Sequence, residues 1–244
     1  MQTTNQNKLA QIGIYCPTRK RVASLNRLIE SIISTAKNPE RVFFRLYVDS
    51  DDNQTIDYLK ENGNKLNGNV IVEDYGTRLL SDTYNVLYEN ANDDLCMQFG
   101  DDTIMRTQNW DELIEATFQK YPDKLILAYG NDGIHNSKFS THYCLSREWI
   151  ETVGYMSAKY FPVDWSDAWA FEIAKSLDRH VHIPELSIEH AHWTQNKSEF
   201  DETYMLAEER RRRFNGEAFF HCNESVNLRK EAVEKLRKKI NEQT

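Results

Sequence analysis

Short apolar runs alternate with stretches of helical periodicity through the first half of the chain, and most of these runs end on a polar cluster. Residues 11–16 form the first run, stopped by Pro17. Val22, Leu25, Leu28, Ile29, Ile32, Ile33 and Ala36 then recur at the spacing of one helix face. Strands are expected over 42–48, 70–73 and 95–99, with helices over 55–61 and 77–90 and a Gly/Asn-rich turn over 62–69. Such strand–helix units predict an α/β fold: a mostly parallel sheet with helices on both faces. Ligands of such sheets sit outside the carboxyl ends of the strands. The polar clusters fall at those ends: Thr18-Arg19-Lys20-Arg21, Asp49-Ser50-Asp51-Asp52 and Gly100-Asp101-Asp102.

The second half is less regular. Helices are expected over 110–121, 166–177, 199–214 and 224–240, and strands over 125–129, 143–145, 180–183 and 186–190, the last two flanking Pro184. Asn215-Gly216 marks the break between a body and a C-terminal helical tail. The chain has 244 residues, 40% of them apolar, enough for one sizeable core. A net charge of −8 argues against a general polyanion binder, whose phosphate contacts need a Lys/Arg surplus. Four cysteines without a CxxC pair suggest neither a zinc knuckle nor a disulfide framework, and reduced thiols fit a cytoplasmic setting. The first ten residues are polar, unlike a secretory leader, and no apolar run approaches the roughly 18–20 residues that span a bilayer. Membrane contact is expected to be peripheral.

Several residues have the types that chemistry needs. Adjacent Asp101 and Asp102 repel unless a cation or donor sits between them, and Mg²⁺ prefers carboxylate and phosphate oxygens. The plain alternative is a turn or cap. In an extended stretch His190 and His192 share a face, as do His180 and His182. Asp164-Trp165-Ser166-Asp167 opens a helix: one of its polar residues serves as N-cap, while a second carboxylate suits a general base. Trp165 and Trp169 are a stacking platform or core. Arg19, Lys20 and Arg21, at a helix N-terminus, can meet phosphates. Arg210–Arg213 is a solvated face or a basic patch.

Together these segments resemble family 2-like GT-A glycosyltransferases, in particular the short stand-alone forms of phage and bacteria, over roughly residues 10–205. Ile12-Gly-Ile-Tyr-Cys-Pro-Thr-Arg19 is similar to the opening strand and Pro-Thr-Arg loop, and Tyr47-Val-Asp-Ser-Asp-Asp52 to the second strand with its terminal Asp. Met97-Gln-Phe-Gly-Asp-Asp102 is similar to the DXD motif, with Gly100 in place of the first carboxylate. Val163-Asp-Trp-Ser-Asp-Ala-Trp169 is similar to the acidic acceptor-site motif, and Ile188-Glu-His-Ala-His192 with Lys197 and Asp201 to the His-containing closing segment.

The resemblance implies a GT-A domain over 1–214, with a nucleotide-sugar part near 10–105, an acceptor and catalytic part near 106–214, and a tail over 215–244. It implies Mn²⁺ or Mg²⁺ held by Asp102 with His190 or His192. Pro17, Thr18, Arg19, Asp49, Asp51, Arg78, Asn85, Asp101 and Lys197 are implied for the nucleotide sugar, UDP-linked by the family's commonest choice. Asp167, or alternatively Asp164, is implied as the base of an inverting displacement. The acceptor stays open among saccharides, lipid-linked saccharides, protein and phage DNA, so nucleic acid remains a candidate partner. The rival classes are a nucleotidyltransferase and a non-catalytic nucleotide- or glycan-binding protein.

Overall fold

The structure, a computed structural model, describes residues 9–63, 66–74 and 78–242. Its strands are β1 Ile12–Thr18, β2 Val42–Asp49, β3 Gly68–Glu73, β4 Leu95–Gln98, β5 Thr103–Met105, β6 Leu127–Asn131, β7 Tyr143–Ser146 and β8 His180–His190. The helices are α1 Val22–Thr35, α2 Asn53–Asn62, α3 Leu80–Glu89, α4 Trp110–Gln119, α5 Arg147–Val153, α6 Ser166–Ser176, α7 Glu202–Arg213, α8 Gly216–His221 and α9 Asn223–Asn241. The expected start of α3 at Thr77 and the middle of the expected 62–69 turn lie outside the described residues.

The strands form one sheet in the order β3-β2-β1-β4-β7-β6-β8-β5. β1, β2, β3 and β4 run parallel, as do β6 and β8; β7 runs against β4 and β6, and β5 against β8. Alternate side chains feed two cores. Ile12, Ile14, Cys16, Phe44, Leu46 and Met97 meet α1, α2 and α4 on one face. Tyr15, Tyr47, Cys96, Leu127 and Tyr143 meet α3, α5, α6 and α9 on the other. Helices on both faces therefore hold, and α9 lays Val233 and Leu236 into the second core. No helix among the described residues is long and apolar enough to cross a membrane.

Two prolines do not end strands as expected. β1 continues through Pro17 to Thr18, paired with β2. Tyr15 turns its carbonyl toward β4, accepting from Phe99 N, so Pro17, two residues on, points its nitrogen the same way. Pairing with β4 has ended by then, at Tyr15 against Gln98, so no ladder bond is lost. The expected strands 180–183 and 186–190 are likewise one strand, β8, with Pro184 inside a register shift against β6. That continuity matters, because β8 then pairs with β5 and sets His190 opposite Thr103. β5, α5 and α8 had no expected counterpart: at three, seven and six residues, each is too short for its pattern to stand out in the sequence.

Candidate active site

Side chains from the carboxyl ends of β1, β2 and β4 converge on a cavity of about 170 Å³, lined by Pro17, Thr18, Arg19, Arg21, Tyr47, Asp49, Arg78, Asp101, Asp102 and Arg210, among others. Seven of the expected residues meet there. Asp101 accepts from the Thr18 hydroxyl at 2.8 Å and from Arg21 at 3.1 Å. Asp102 accepts from the Tyr204 hydroxyl at 2.7 Å and lies 3.4 Å from His190 Nε2. The antiparallel ladder of β5 and β8 makes this meeting, helped by Ala191 N donating to the Asp102 carbonyl at 2.8 Å.

A Cβ at Gly100 would stand 2.8 Å from Asp102 Oδ1, so any side chain there would displace the Asp102 carboxylate.

The two carboxylates are pushed apart in acidity. Burial raises Asp101, with Asp102 adding to it against Arg21 and Thr18. Burial also acts on Asp102, but His190 and the Tyr204 hydroxyl outweigh it and hold the group below its usual range. Burial pulls His190 down, and its bond to Asp102 more than restores it, so its pKa stands above normal. One proton thus resides most readily on Asp101, leaving Asp102 ionised. His142, which the sequence reading missed, lies edge-on to His190 at 4.9 Å and is kept neutral by burial, its pKa pushed down to about 3.

Arg19 gathers acidic partners. Its Nε lies 2.9 Å from Asp49, its Nη2 2.7 Å from Asp51 and its Nη1 3.1 Å from Glu202. Even so, burial outweighs Arg19 at Asp49 and, with Asp51 beside it, pushes that carboxyl up to about 7. Asp51 itself is exposed and does not line the cavity; it reaches the site through Arg19. Arg78 lines the cavity and is held by Glu73 at 2.6 Å.

Other expectations are redirected. Asn85 is buried in α3, donating to the carbonyls of Ser81 and Ser157 and accepting from Met156 N and Ser157 N. Its amide is fully spent on the fold, and it does not reach the cavity. Lys197 pairs with Glu189 at 2.7 Å and borders a neighbouring cleft instead. His192 turns Nδ1 to the Thr194 hydroxyl at 2.8 Å. His180 and His182 pack by Phe171 and Asn131, away from the site.

The first turn of α7 closes over the cavity. Asp201 accepts from Arg21 at 2.6 and 2.7 Å, Thr203 donates to the Arg19 carbonyl, and the Tyr204 ring sits 3.9 Å beneath the Arg21 guanidinium. Tyr204 was not anticipated. Its target Asp102 lies 102 positions away in sequence, and Asp201, which accepts from Tyr204 N at 3.0 Å, marks only the local helix start.

Asp167 and Asp164 differ sharply. Asp167 lies in the first turn of α6, accepts from Ala168 N at 2.8 Å, and is pushed up to about 6 by burial with Asp164 adding. Asp164 is exposed and tied to Arg211 by two bonds of 2.5 and 2.9 Å. Such a pair suits a fixed surface contact, not a base.

Among the described residues no group of three or more His, Cys, Asp or Glu is arranged to hold a metal. Of the implied ligands, His190 lies beside Asp102 at 3.4 Å, whereas His192 turns its Nδ1 to Thr194. Asp102 and His190 alone do fit a Mg²⁺- or Mn²⁺-type site, in which one or two protein donors are completed by substrate oxygens. Among the described residues His190 Nδ1, on the far edge of the ring from Asp102, has no hydrogen-bond partner.

No family model matches the chain, and no curated protein matches it in sequence. Solved structures do. A mannosyltransferase of Pyrobaculum calidifontis, in complex with GDP-Man and Mn²⁺, superposes with a TM-score of 0.59 at 11% identity over 96% of this chain and 74% of that one. TarS of S. aureus gives 0.57 at 12% identity, covering 73% of this chain, which spans only 36% of TarS; residues 1–349 of TarS, solved with UDP-GlcNAc, give 0.53 over 94% and 81% at the same identity. The fold is the GT-A fold. A cytidylyltransferase of Leptospira borgpetersenii gives 0.50 at 14% identity, over 72% and 76%.

Proposed function

We propose that the chain is a nucleotide-sugar glycosyltransferase, transferring a sugar from a nucleoside diphosphate to an acceptor hydroxyl. One observation carries this: Thr18, Arg19, Asp49, Arg78, Asp101 and Asp102, from four separate segments, converge on a single cavity at the strand ends. TarS has been solved with UDP and UDP-GlcNAc, the mannosyltransferase with GDP-Man and Mn²⁺.

Asp49 and Thr18 contact the nucleoside, Asp101 the ribose, and Arg19, Arg21 and Arg78 the diphosphate. Asp102 and His190 hold a divalent cation, which when bound neutralises charge on the leaving diphosphate. The acceptor oxygen attacks the anomeric carbon while the bond to the diphosphate oxygen breaks, and the diphosphate leaves with the electron pair. Asp167 takes the acceptor's proton. A single displacement of this kind inverts the anomeric centre and requires no enzyme nucleophile.

The likeness to a cytidylyltransferase keeps nucleotidyl transfer as the rival reading. Such chemistry draws on a glycine-rich phosphate loop after the first strand, and Pro17-Thr-Arg-Lys-Arg21 has no glycine. The deciding experiment is a thermal-shift titration with UDP, GDP, CDP, dTDP and ADP, each with and without Mn²⁺. Stabilisation by one nucleotide, dependent on Mn²⁺ and abolished in Asp102→Asn, is the expected result. No response to any nucleotide would refute the reading.

A further inference from the structure

Beside the first turn of α6 lies a second cavity, of about 340 Å³, lined by Asp164, Trp165, Arg211, Arg212, Asn215 and Glu217 with Gly216 at its rim. Three features set it apart from an ordinary surface crevice. The first is backbone strain. Trp165 precedes α6 with φ +76°, a left-handed conformation that costs a bulky residue free energy and persists where the surroundings enforce it, often at functional sites.

The second feature is the indole. It packs on Phe220 at 5.0 Å and meets His221 edge-on, yet no described residue accepts a hydrogen bond from its Nε1. Gly216 runs so close that a Cβ would stand 2.6 Å from Trp165 Cδ1 and 3.1 Å from Nε1. Only glycine lets the chain pass the indole edge there while the N–H stays clear.

The third feature is charge balance. Asp164 and Glu217 offset Arg211 and Arg212 in the cavity wall, and Asp164 already holds Arg211 by two bonds. Arg213 is paired with Glu209, and Arg210 faces the first cavity. The four-arginine run is thus divided and largely neutralised, so a polyanion would find carboxylates among its contacts. An indole beside carboxylate and guanidinium groups of zero net charge is the chemistry of a pyranose, whose C–H face stacks on the ring while vicinal hydroxyls bridge the planar polar groups.

We propose that this cavity is the acceptor subsite and that it takes an uncharged saccharide, with Trp165 as its platform and the Asp164–Arg211 pair as its polar clamp. The assignment rests on the glycosyl-transfer reading, in which the base is Asp167, two residues past Trp165 in the first turn of α6. It selects a neutral glycan over DNA as the acceptor class.

Saturation-transfer NMR tests it, with methyl glucoside, methyl mannoside, N-acetylglucosamine, maltose and chitobiose as probes and a short DNA duplex in parallel. UDP with Mn²⁺ is titrated into the same samples. Wild type should bind at least one sugar saturably and leave the duplex unbound. Trp165→Ala and the milder Gly216→Ala should each weaken that sugar by about tenfold, the scale of one lost aromatic contact, with UDP affinity unchanged. UDP affinity also certifies that each variant is folded. If wild type binds UDP but no sugar, or binds sugar equally in both variants, or binds the duplex instead, the subsite is refuted while the transferase reading stands. If wild type binds neither UDP nor GDP, CDP, dTDP or ADP with Mn²⁺, the transferase reading itself falls and takes the subsite with it.

Discussion

Asp49 and Asp167 hold their protons well above the usual range of about 4 for aspartate, and the sign of each shift fixes a measurable pH dependence. As the proposed base, Asp167 must be deprotonated, so with its pKa near 6 transfer should rise with pH through about 6 and then level. Asp167→Asn should cost about 10² to 10⁴ in rate while leaving nucleotide affinity intact. Rate and UDP affinity measured together across pH 5–8 check this, and loss of both would place Asp167 in the donor site instead. Asp49 bears on stability. Its folded pKa of about 7 exceeds the unfolded value near 4, so the native state favours the protonated form. The associated stability is present below pH 4 and is lost as pH rises toward 7. Asp49→Asn, which leaves Arg19 paired with Asp51 and Glu202, should therefore raise the melting temperature at pH 8. The gain should vanish toward pH 4. A variant less stable than wild type at pH 8 would mean that the Arg19 contact, not burial, governs this group.

At the scale of elements, the first turn of α7 contacts Arg21 and Asp102, the same groups proposed to hold the donor and its cation. The Tyr204 hydroxyl occupies a lone pair of the Asp102 oxygen that also faces His190. Tyr204→Phe keeps the ring over Arg21 and removes this competitor, while Asp102 remains ionised at neutral pH. The Mn²⁺ concentration that half-saturates UDP stabilisation should fall; an increase would show that the hydroxyl orients Asp102 for the cation. This turn also marks where sequence reading stops. Thr18, Asp49, Asp101 and Asp102 were legible because strand ends and polar clusters are local signals. Tyr204 over Asp102 spans 102 positions, and no period or spacing encodes such a contact. Asn85 was misplaced for a different reason: its residue type was legible, but only the packed Met156 and Ser157 show that its amide is consumed. Pro17 and Pro184 misled in the same way, since a proline ends a strand only where a neighbour needs its missing N–H.

Across the whole molecule the two faces of the sheet divide the labour. The donor cavity is built on the strand ends, whereas Asp167 stands on α6, which α9 braces from outside. Leu236 of α9 is fully buried among Trp169, Ile173 and their neighbours in the second core. The amphipathic pattern over 224–240 was readable as a helix, yet nothing in it said which surface would receive the apolar stripe. Leu236→Ala should lower stability by about 2–5 kcal/mol, the usual cost of a large-to-small change at a buried leucine. Because the cavity that would take UDP draws no residue from α9, UDP affinity measured well below the melting transition should stay within about twofold, under 0.5 kcal/mol. Transfer is the more sensitive readout, since small displacements of α6 move Asp167 relative to the anomeric carbon, and misplacement by about 1 Å can cost 100-fold. Urea denaturation, UDP titration and rate on one preparation separate these effects. A variant that loses UDP affinity in step with stability would show that the two cores fold as one unit, with the C-terminal helix supporting the nucleotide site as directly as it supports the base.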